Sequence, residues 1–397
     1  MTNNNHFKSA AFYSVLLRMI VLLFACPLSV VNALEIKIGL YNDQSIVSAV
    51  FSVVEGNYNI IGDGNIILNV SQGEIFYLSP ENGTLQFTGG DKKFPGFRAI
   101  SVEKTTEEGV LQLKPVAPLL PSADYDGNLT ISLVNGELKI INLVEMDHYI
   151  AGVIEAEGGS NAGEEYYKAQ AILIRTYALR NMHRHAAQSF NLCSSEHCQA
   201  YKGKSLLNRQ IYEATHATDN LIITDIGGNL AIAPYHSNCG GITSTSDMVW
   251  QRHHYYLLPV SDIFCSKGNN YTWTKKITLT RWKNYLSGYG INTARLTNEA
   301  YNIRHPNREK YITINDIPVP TRSIREEFGL KSTFFKIEKA GNEIIFIGKG
   351  FGHGVGMCQE GAMEMARMGY TYVDILHYYY QHIEIAPLVE QETTGND

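Results

Sequence analysis

The chain has 397 residues, of which 44% are hydrophobic and 18% are charged, and its formal net charge is −6 at pH 7. This is the composition of an ordinary globular protein, and the length provides a sizeable core and about two to three domains. The acidic balance argues against nucleic acid as the main partner.

The N-terminus resembles an export signal. Lys8 and Arg18 precede a strongly apolar stretch, MIVLLFACPLSVVNA, which ends in small residues at Ala33. This stretch is shorter than the ~20 residues that a membrane-spanning helix needs. We therefore predict a signal peptide over 1–33 and an exported protein, periplasmic or extracellular, without a stable membrane span after cleavage. A short membrane anchor and lipidation at Cys26 are the alternatives.

Residues 34–120 alternate short β-type runs with turn residues, which predicts a small β-rich N-terminal region. The proline-containing stretch KPVAPLLPSADYDG then predicts a connector, and a second domain is predicted over 121–390. Near the start of that domain, LTISLV and LKIINLV predict a hairpin that turns at Asn135-Gly136-Glu137.

The hydrophobic period then changes. Asn161 followed by Glu164 is an N-terminal capping signal, and apolar residues recur at helical spacing after it, so we predict a helix over about 162–185. Residues 210–345 mix short strands with polar loops. The fold class is α+β, with a few helices packed on mostly antiparallel strands after the β-rich N-terminal region.

Two carboxylates, Glu155 and Glu157, directly precede the Gly158-Gly159 pair. In an extended segment their spacing would place both on one side, beside a tight turn. A partly desolvated carboxyl group has a raised pKa and is suited to general acid catalysis. Two solvated glutamates near the start of a helix are the simpler interpretation.

The segment FNLCSSEHCQ contains Cys193, His197 and Cys198, and His183 and His185 lie upstream. Two thiolates and one or two imidazoles can complete a tetrahedral zinc site. A Cys193–Cys198 disulfide would fit the same spacing in an exported protein, so both interpretations remain open at this point.

Two further segments could line a cleft. PYHSNCGG contains His236, Ser237 and the Gly240-Gly241 pair, although a polar loop that closes a sheet is a simpler explanation. GKGFGHGVGMCQEGAMEMARMGY surrounds His353 with glycines, which let backbone or a ligand approach the imidazole closely. A helix is expected to start at Gln359, with Gly369 as its C-terminal cap.

Four segments in this order resemble one family. They are YIAGVIEAE with EEYYKAQAILIRTYAL, CQAYKGKS, YHSNCGG followed by VW, and GFGHGVGMCQEGAMEMA. Together they are similar to the SpoIID/LytB family, which comprises the glycan-cleaving stage II sporulation D enzymes and their amidase-enhancer relatives. The similarity covers about residues 126–386 and does not include 35–120.

The resemblance implies a peptidoglycan lytic transglycosylase that cleaves between N-acetylmuramic acid and N-acetylglucosamine and leaves 1,6-anhydro ends. Its glutamate general acid falls on Glu157. Glycan strands of the cell wall would be its partner, and structural Zn²⁺ its metal. The implied zinc ligands are Cys193, His197, Cys198 and His185, and the expected substrate-binding residues are His236, Ser237, Gly240, Gly241, His353, Gly354 and Gln359.

The chain departs from the family pattern at several positions. Gly158-Gly159 replaces Met-Pro after the catalytic glutamate, and Phe351 and Cys358 replace Trp and Ser. These departures keep a second hypothesis open, a non-catalytic glycan-binding enhancer whose partner is a cell-wall amidase. If Cys193 and Cys198 bind zinc, Cys239 and Cys265 are the expected disulfide pair, and Cys358, where the family has serine, is expected to be a buried thiol.

Overall fold

The computed structural model of the protein describes residues 34–94 and 96–388. The predicted signal peptide, 1–33, lies outside the described residues. The predicted α+β class is confirmed, because helices pack on sheets whose strand pairs are mostly antiparallel. Within the two described ranges, no helix is long and apolar enough to cross a membrane.

Thirteen strands build the two large sheets. They are β1 (Glu35–Leu40), β2 (Ser48–Glu55), β3 (Asn57–Gly62), β4 (Asn65–Ser71), β5 (Ile75–Glu81), β6 (Thr84–Gly89), β7 (Lys92–Lys93), β8 (Ala99–Lys104), β9 (Val110–Ala117), β10 (Ala123–Asp126), β11 (Asn128–Val134), β12 (Glu137–Glu145) and β13 (Leu192–Cys193). One sheet has the order β13-β1-β12-β11-β8-β3-β4 and the other β10-β9-β2-β5-β6-β7. Strands from both sides of residue 120 therefore share the first sheet.

The predicted hairpin is confirmed by β11 and β12, which pair from Val134 opposite Glu137. Asn135 and Gly136 both have positive φ, which a two-residue turn of this kind requires. Along β12 buried residues alternate with more exposed ones, so one face of the strand packs into the core. The predicted connector is wrong in extent, because its ends belong to β9 and β10 and only 118–122 lie between them.

Seven helices lie in the described ranges. They are α1 (Met146–Gly158), α2 (Glu164–Arg180), α3 (Arg209–His216), α4 (Leu279–Ser287), α5 (Thr321–Phe328), α6 (Gln359–Arg367) and α7 (Tyr372–Tyr379). The predicted helix over 162–185 is α2, although Gly163 rather than Asn161 occupies its N-cap and the helix ends five residues earlier. The predicted start at Gln359 is confirmed by α6.

Helix α1 was not predicted, and its sequence explains why. Its residues from Tyr149 to Ile154 are all buried, so the segment has no polar face and no helical period in its hydrophobicity. This helix packs against α2 and α3, while α2 also packs against α6 and α7. These packings bring the end of α1 close to the start of α6.

The remaining strands form four small sheets. They are β14 (Leu221–Asp225), β15 (Tyr235–His236), β16 (Thr272–Thr278), β17 (Tyr311–Ile314), β18 (Ile317–Pro320), β19 (Phe335–Ala340), β20 (Glu343–Lys349), β21 (Met357–Cys358) and β22 (Ile383–Pro387). The parallel pair of β15 and β21 places His236 opposite Cys358. Residues 273–346 have a hydrophobic core of their own, which includes Trp282, Phe328 and Phe346.

Candidate active site

Glu157 lies in the last turn of α1 and lines two cavities, of about 610 and 900 Å³. Its Oε1 accepts a hydrogen bond of 2.9 Å from the backbone N–H of Ala200. Burial raises the pKa of Glu157, and the charge of Glu196 raises it further, while the Ala200 N–H and Lys202 oppose that shift. The protonated carboxyl is therefore favoured more here than in water.

Glu155 lies elsewhere, although only two positions separate it from Glu157. The segment is helical rather than extended, so two such residues point about 200° apart around the axis. Its carboxylate accepts hydrogen bonds from Ser205 Oγ at 2.8 Å and from the N–H groups of Leu206 and Leu207 at 3.1 and 2.9 Å. The expectation that the two carboxylates share one side is wrong, because it assumed an extended strand.

Three other glutamates line the same cavities. Glu196 is exposed, and Glu360 accepts hydrogen bonds from the side-chain amides of Asn238 and Asn270. Glu364 pairs with Arg367 and Lys267, and these cations lower its pKa. Among the cavity-lining glutamates of the described chain, Glu157 alone combines a raised pKa with the absence of a bonded cation or side-chain donor.

The structure also explains the glycine at 158. A Cβ atom on Gly158 would lie 2.2 Å from the hydroxyl oxygen of Tyr166, which is fully buried on α2. Gly159 follows with φ 76° and ends the helix. The Gly-Gly pair therefore lets α1 end directly against α2, which fixes the turn that carries Glu157.

His353 and His236 also line the larger cavity, with their rings 5.4 Å apart. Burial, with Arg325 and Arg308 nearby, lowers the pKa of His353 to about 4, so its imidazole is neutral at pH 7. His353 Nδ1 accepts the Val355 N–H at 3.1 Å, which leaves Nε2 as the protonated nitrogen. Gly352 allows this packing, because a Cβ there would lie 2.8 Å from the Cβ of His236.

His236 is arranged in the opposite sense. Its Nδ1 lies 3.2 Å from the carbonyl oxygen of Val355, so Nδ1 donates and Nε2 must be an acceptor. Burial lowers the pKa of His236 well below its usual value, and the buried Nε2 has no partner among the described groups. His236 Nε2 is thus a buried acceptor without a partner among the described groups, and the His353 imidazole also hydrogen-bonds to the backbone of Tyr235.

The other expected substrate residues divide into two groups. Ser237 and Gln359 line the smaller cavity, where the Ser237 hydroxyl accepts a hydrogen bond from Asn270. Gly240, Gly241 and Gly354 are outside both cavity linings. Gly240 packs against Lys349, and Gly354 packs against Arg308. These glycines therefore allow close packing of neighbouring segments rather than contact with a ligand in either cavity.

Residue-by-residue reasoning missed Asn270 and assigned no role to Trp250. Asn270 joins Glu360, Ser237 and Lys331 through hydrogen bonds at the floor of the smaller cavity. Trp250 lines the larger cavity with its ring 5.4 Å from that of His353 and is 38% exposed. In the sequence, Trp250 belongs to the VW pair at 249–250 and Asn270 to the CSKGNNYTW segment at 265–273. Neither segment has a spacing that predicts a contact with the cavities.

The four expected metal ligands come together beside Glu157. One ligand atom from each of His185, Cys193, His197 and Cys198 lies within 4.8 Å of the others. Three sulfur–nitrogen distances are 3.4, 3.5 and 3.7 Å, and the ligand atoms of a tetrahedral zinc site are about 3.3–3.8 Å apart. The donor set of two thiolates and two imidazoles therefore fits Zn²⁺. We call these four residues the outer cluster, because His197 is exposed.

Comparisons with known proteins identify relatives of this chain. A sequence model of the SpoIID family, described as "Stage II sporulation protein", matches residues 134–224. An uncharacterised protein of Brachyspira hyodysenteriae is 31% identical over 278 residues, which cover 67% of this chain and 73% of that protein. The chain belongs to the SpoIID/LytB family.

Two named family members have lower identity. Stage II sporulation protein D of Bacillus subtilis is 29% identical over 258 residues, covering 61% of this chain and 75% of that protein. The amidase enhancer of Bacillus subtilis is 25% identical over 287 residues, covering 58% of this chain and 39% of the enhancer. The SpoIID/LytB resemblance predicted from sequence motifs is confirmed.

Proposed function

We propose that this SpoIID/LytB protein is a lytic transglycosylase of bacterial cell-wall glycan, with Glu157 as its general acid. The observation that carries the proposal is the desolvated carboxyl of Glu157 where two cavities meet the end of α1. The other three cavity glutamates are exposed or already bonded to amides or cations. A proton donor needs a carboxyl group that retains its proton near neutral pH.

The reaction needs only this one carboxyl group. Protonated Glu157 donates its proton to the glycosidic oxygen as the bond to C1 of the muramic acid breaks, and positive charge develops at that sugar. The C6 hydroxyl of the same sugar then attacks C1 and forms the anhydro ring. Glu157, now ionised, accepts the hydroxyl proton and returns to its starting form, so no water is consumed.

The part of the larger cavity lined by His236, Trp250 and His353 would bind and orient the glycan. His353 and His236 line the larger cavity as neutral imidazoles, so the rings can contact the glycan without adding charge to the groove. Trp250 beside them offers an exposed aromatic face against which the apolar face of a sugar can pack. In this arrangement Glu157 on α1 transfers the proton, and residues on the loops bind the glycan.

The outer cluster would hold a structural zinc ion through His185, Cys193, His197 and Cys198. When bound, such an ion supplies a fixed tetrahedral crosslink rather than reaction chemistry. Cys198 is two residues from Ala200, whose N–H binds Glu157. Fixing the 193–198 segment therefore fixes the one hydrogen-bond donor that orients the catalytic acid.

A non-catalytic role as an enhancer of a cell-wall amidase is the second candidate. Gly158-Gly159 replaces the Met-Pro of the family pattern next to Glu157, and one relative is named an amidase enhancer. In that case the same groove would bind glycan without cleaving it, and an amidase would be the protein partner.

Product analysis separates the two functions. Purified glycan strands, with and without stem peptides, are incubated with the wild type, Glu157→Gln and Glu155→Gln, and new ends are identified by mass spectrometry. We expect anhydro ends from the wild type and from Glu155→Gln, and almost none from Glu157→Gln. Glycan that is bound without new ends would support the enhancer and contradict the enzyme.

The zinc proposal has its own test. We expect Cys193→Ser to lose one equivalent of zinc relative to the wild type when both are purified without chelators. An intact Cys193–Cys198 disulfide in protein that has not met a reductant would contradict the site.

A further inference from the structure

A second sulfur-rich cluster lies behind the wall of the smaller cavity. Cys239, Asp262, Cys265 and Cys358 each place one ligand atom within 4.8 Å of the others. All four residues are buried, with side chains at most 1% exposed. We call these residues the inner cluster. It shares no residue with the outer cluster, and the proposed reaction does not use it.

The distances within the inner cluster suit a tetrahedral ion. Cys239 Sγ lies 3.5 Å from Cys265 Sγ and 3.2 Å from Asp262 Oδ2. The edges of a zinc tetrahedron built from thiolates and a carboxylate are about 3.5–3.8 Å, so the Sγ–Sγ distance matches an edge and the Sγ–Oδ2 distance is slightly shorter than one. Cys358 Sγ lies 3.2 Å from the backbone N–H of Cys239, a donor that stabilises a thiolate at that position.

The carboxylate is oriented as a metal ligand would be. Asp262 Oδ1 accepts the N–H groups of Phe264 and Cys265, at 2.9 and 3.1 Å. Asp262 Oδ2 faces Cys239 and accepts the hydroxyl of Tyr379 at 3.0 Å. The carboxylate is thus held at both oxygens, and hydrogen-bonded ligand carboxylates are the usual arrangement in protein metal sites.

A buried cation compensates the charge of the cluster. Arg308 is 7% exposed, and its Nη2 donates to the Cys239 carbonyl at 2.7 Å. Its Nε and Nη1 are buried and bond to no group in the described part of the chain. Three thiolates and one carboxylate carry four negative charges, of which Zn²⁺ neutralises two and Arg308 a third. A buried guanidinium of this kind needs nearby negative charge.

We propose that Cys239, Asp262, Cys265 and Cys358 form a second zinc site, which joins the loop at Cys239, the segment from Asp262 to Cys265 and the end of β21 beside the smaller cavity. A disulfide between Cys239 and Cys265 would use two of the thiols and leave Cys358, Asp262 and Arg308 buried without the ion. Ser237 and Gln359 line the smaller cavity and lie within two residues of Cys239 and Cys358. Zinc at the inner cluster therefore sets the position of that wall.

The test removes the outer cluster first. A Cys193→Ser/Cys198→Ser chain, purified without chelators or reductants, should retain about one equivalent of zinc. In that background Cys358→Ser should release zinc to a competing chelator more than tenfold more readily, and Arg308→Gln should have a smaller effect of the same sign. Zinc-free background protein, or an unchanged Cys358→Ser, would overturn the proposal.

Two readouts on the wild-type chain remain decisive if the background chain fails to fold. Replacing zinc with Co²⁺ should give a thiolate-to-cobalt absorption that corresponds to five thiolates, whereas the outer cluster alone provides two. Peptide mapping after alkylation in denaturant should find Cys239, Cys265 and Cys358 as thiols. A two-thiolate intensity or a Cys239–Cys265 disulfide overturns the inner site without bearing on the role of Glu157.

Discussion

The C-terminal turn of α1 and the glycine-rich loop before α6 both line the larger cavity, yet burial has opposite consequences for their ionisable groups. On α1, burial raises the pKa of Glu157 and so favours the neutral carboxyl group. On the loop, burial lowers the pKa of His353 to about 4 and keeps a proton off the imidazole. The same desolvation thus favours the neutral form of both groups, which is the protonated form of a carboxyl and the unprotonated form of an imidazole.

The two walls also differ in how they are fixed. Glu157 depends on its helix, on the close contact of Gly158 with Tyr166 and on one N–H from Ala200. The loop is fixed by backbone pairing, since β21 pairs with β15 and Gly352 packs on His236. Changes on α1 should therefore affect the rate, and changes on the loop should affect binding.

The largest effect is expected from Glu157→Gln. Glutamine preserves the shape and can still accept the Ala200 N–H, but it cannot deliver a proton. The rate of anhydro-end formation should fall by about 10²–10⁴-fold with glycan binding retained. Measuring initial rates and glycan Kd on the same preparation checks this. A rate within a few-fold of the wild type would show that Glu157 is not the acid.

The next largest effect is expected from Gly158→Ala. The new methyl group would lie 2.2 Å from the hydroxyl oxygen of Tyr166, and overpacking of this kind costs about 1–3 kcal/mol. Displacing the turn should also lower kcat by about 10–10²-fold. Adding Tyr166→Phe removes the clashing oxygen and should restore part of both losses. Without such rescue, the contact with Tyr166 is not what positions Glu157.

A smaller effect is expected from His353→Ala. Removing this neutral imidazole from the cavity lining should raise KM about three- to tenfold and leave kcat nearly unchanged. His377→Ala, an exposed histidine on α7 outside both cavities, serves as the matched control. Because His353 is already neutral, its contribution should not vary between pH 6 and 8. If the substitution lowers kcat more than it raises KM, His353 takes part in catalysis rather than in binding.

The raised pKa of Glu157 also affects stability. The folded state retains this proton to higher pH than the unfolded chain does, so stability is fully present below the ordinary glutamate pKa and falls as pH rises through the folded value. Glu157→Gln removes this titration and should be less sensitive to pH in that window. Denaturant unfolding of both proteins from pH 4 to 8 measures the free energy of unfolding at each pH. If both proteins lose the same stability over this range, the expectation is contradicted.

The smallest effect on activity is expected from Glu155→Gln. Its carboxylate faces Ser205, Leu206 and Leu207 rather than the cavities, so activity should change less than about threefold. Stability should fall by about 1–3 kcal/mol, because an amide nitrogen would face hydrogen-bond donors. Thermal unfolding and initial rates on one sample separate the two. A large loss of activity at unchanged stability would instead assign Glu155 to catalysis.

Local chemistry along the sequence determined several elements without any knowledge of the fold. The Asn135-Gly136 turn, the helical period of α2 and the helix start at Gln359 were all predictable, because each depends on backbone preferences of neighbouring residues. The motif order also predicted the family. Helix α1 was beyond this reasoning, since a helix buried on every side has no hydrophobic period.

Tertiary structure decided which side chains share an environment. Glu155 and Glu157 lie two positions apart, yet the helical turn directs Glu155 to three hydrogen-bond donors at 205–207 and Glu157 to a cavity where one donor, the Ala200 N–H, bonds to it. Cys239 and Cys358 are 119 residues apart, and β15 and β21 bring them together. Desolvation and ligand geometry depend on contacts between distant segments, and these contacts leave no periodic signal along the chain.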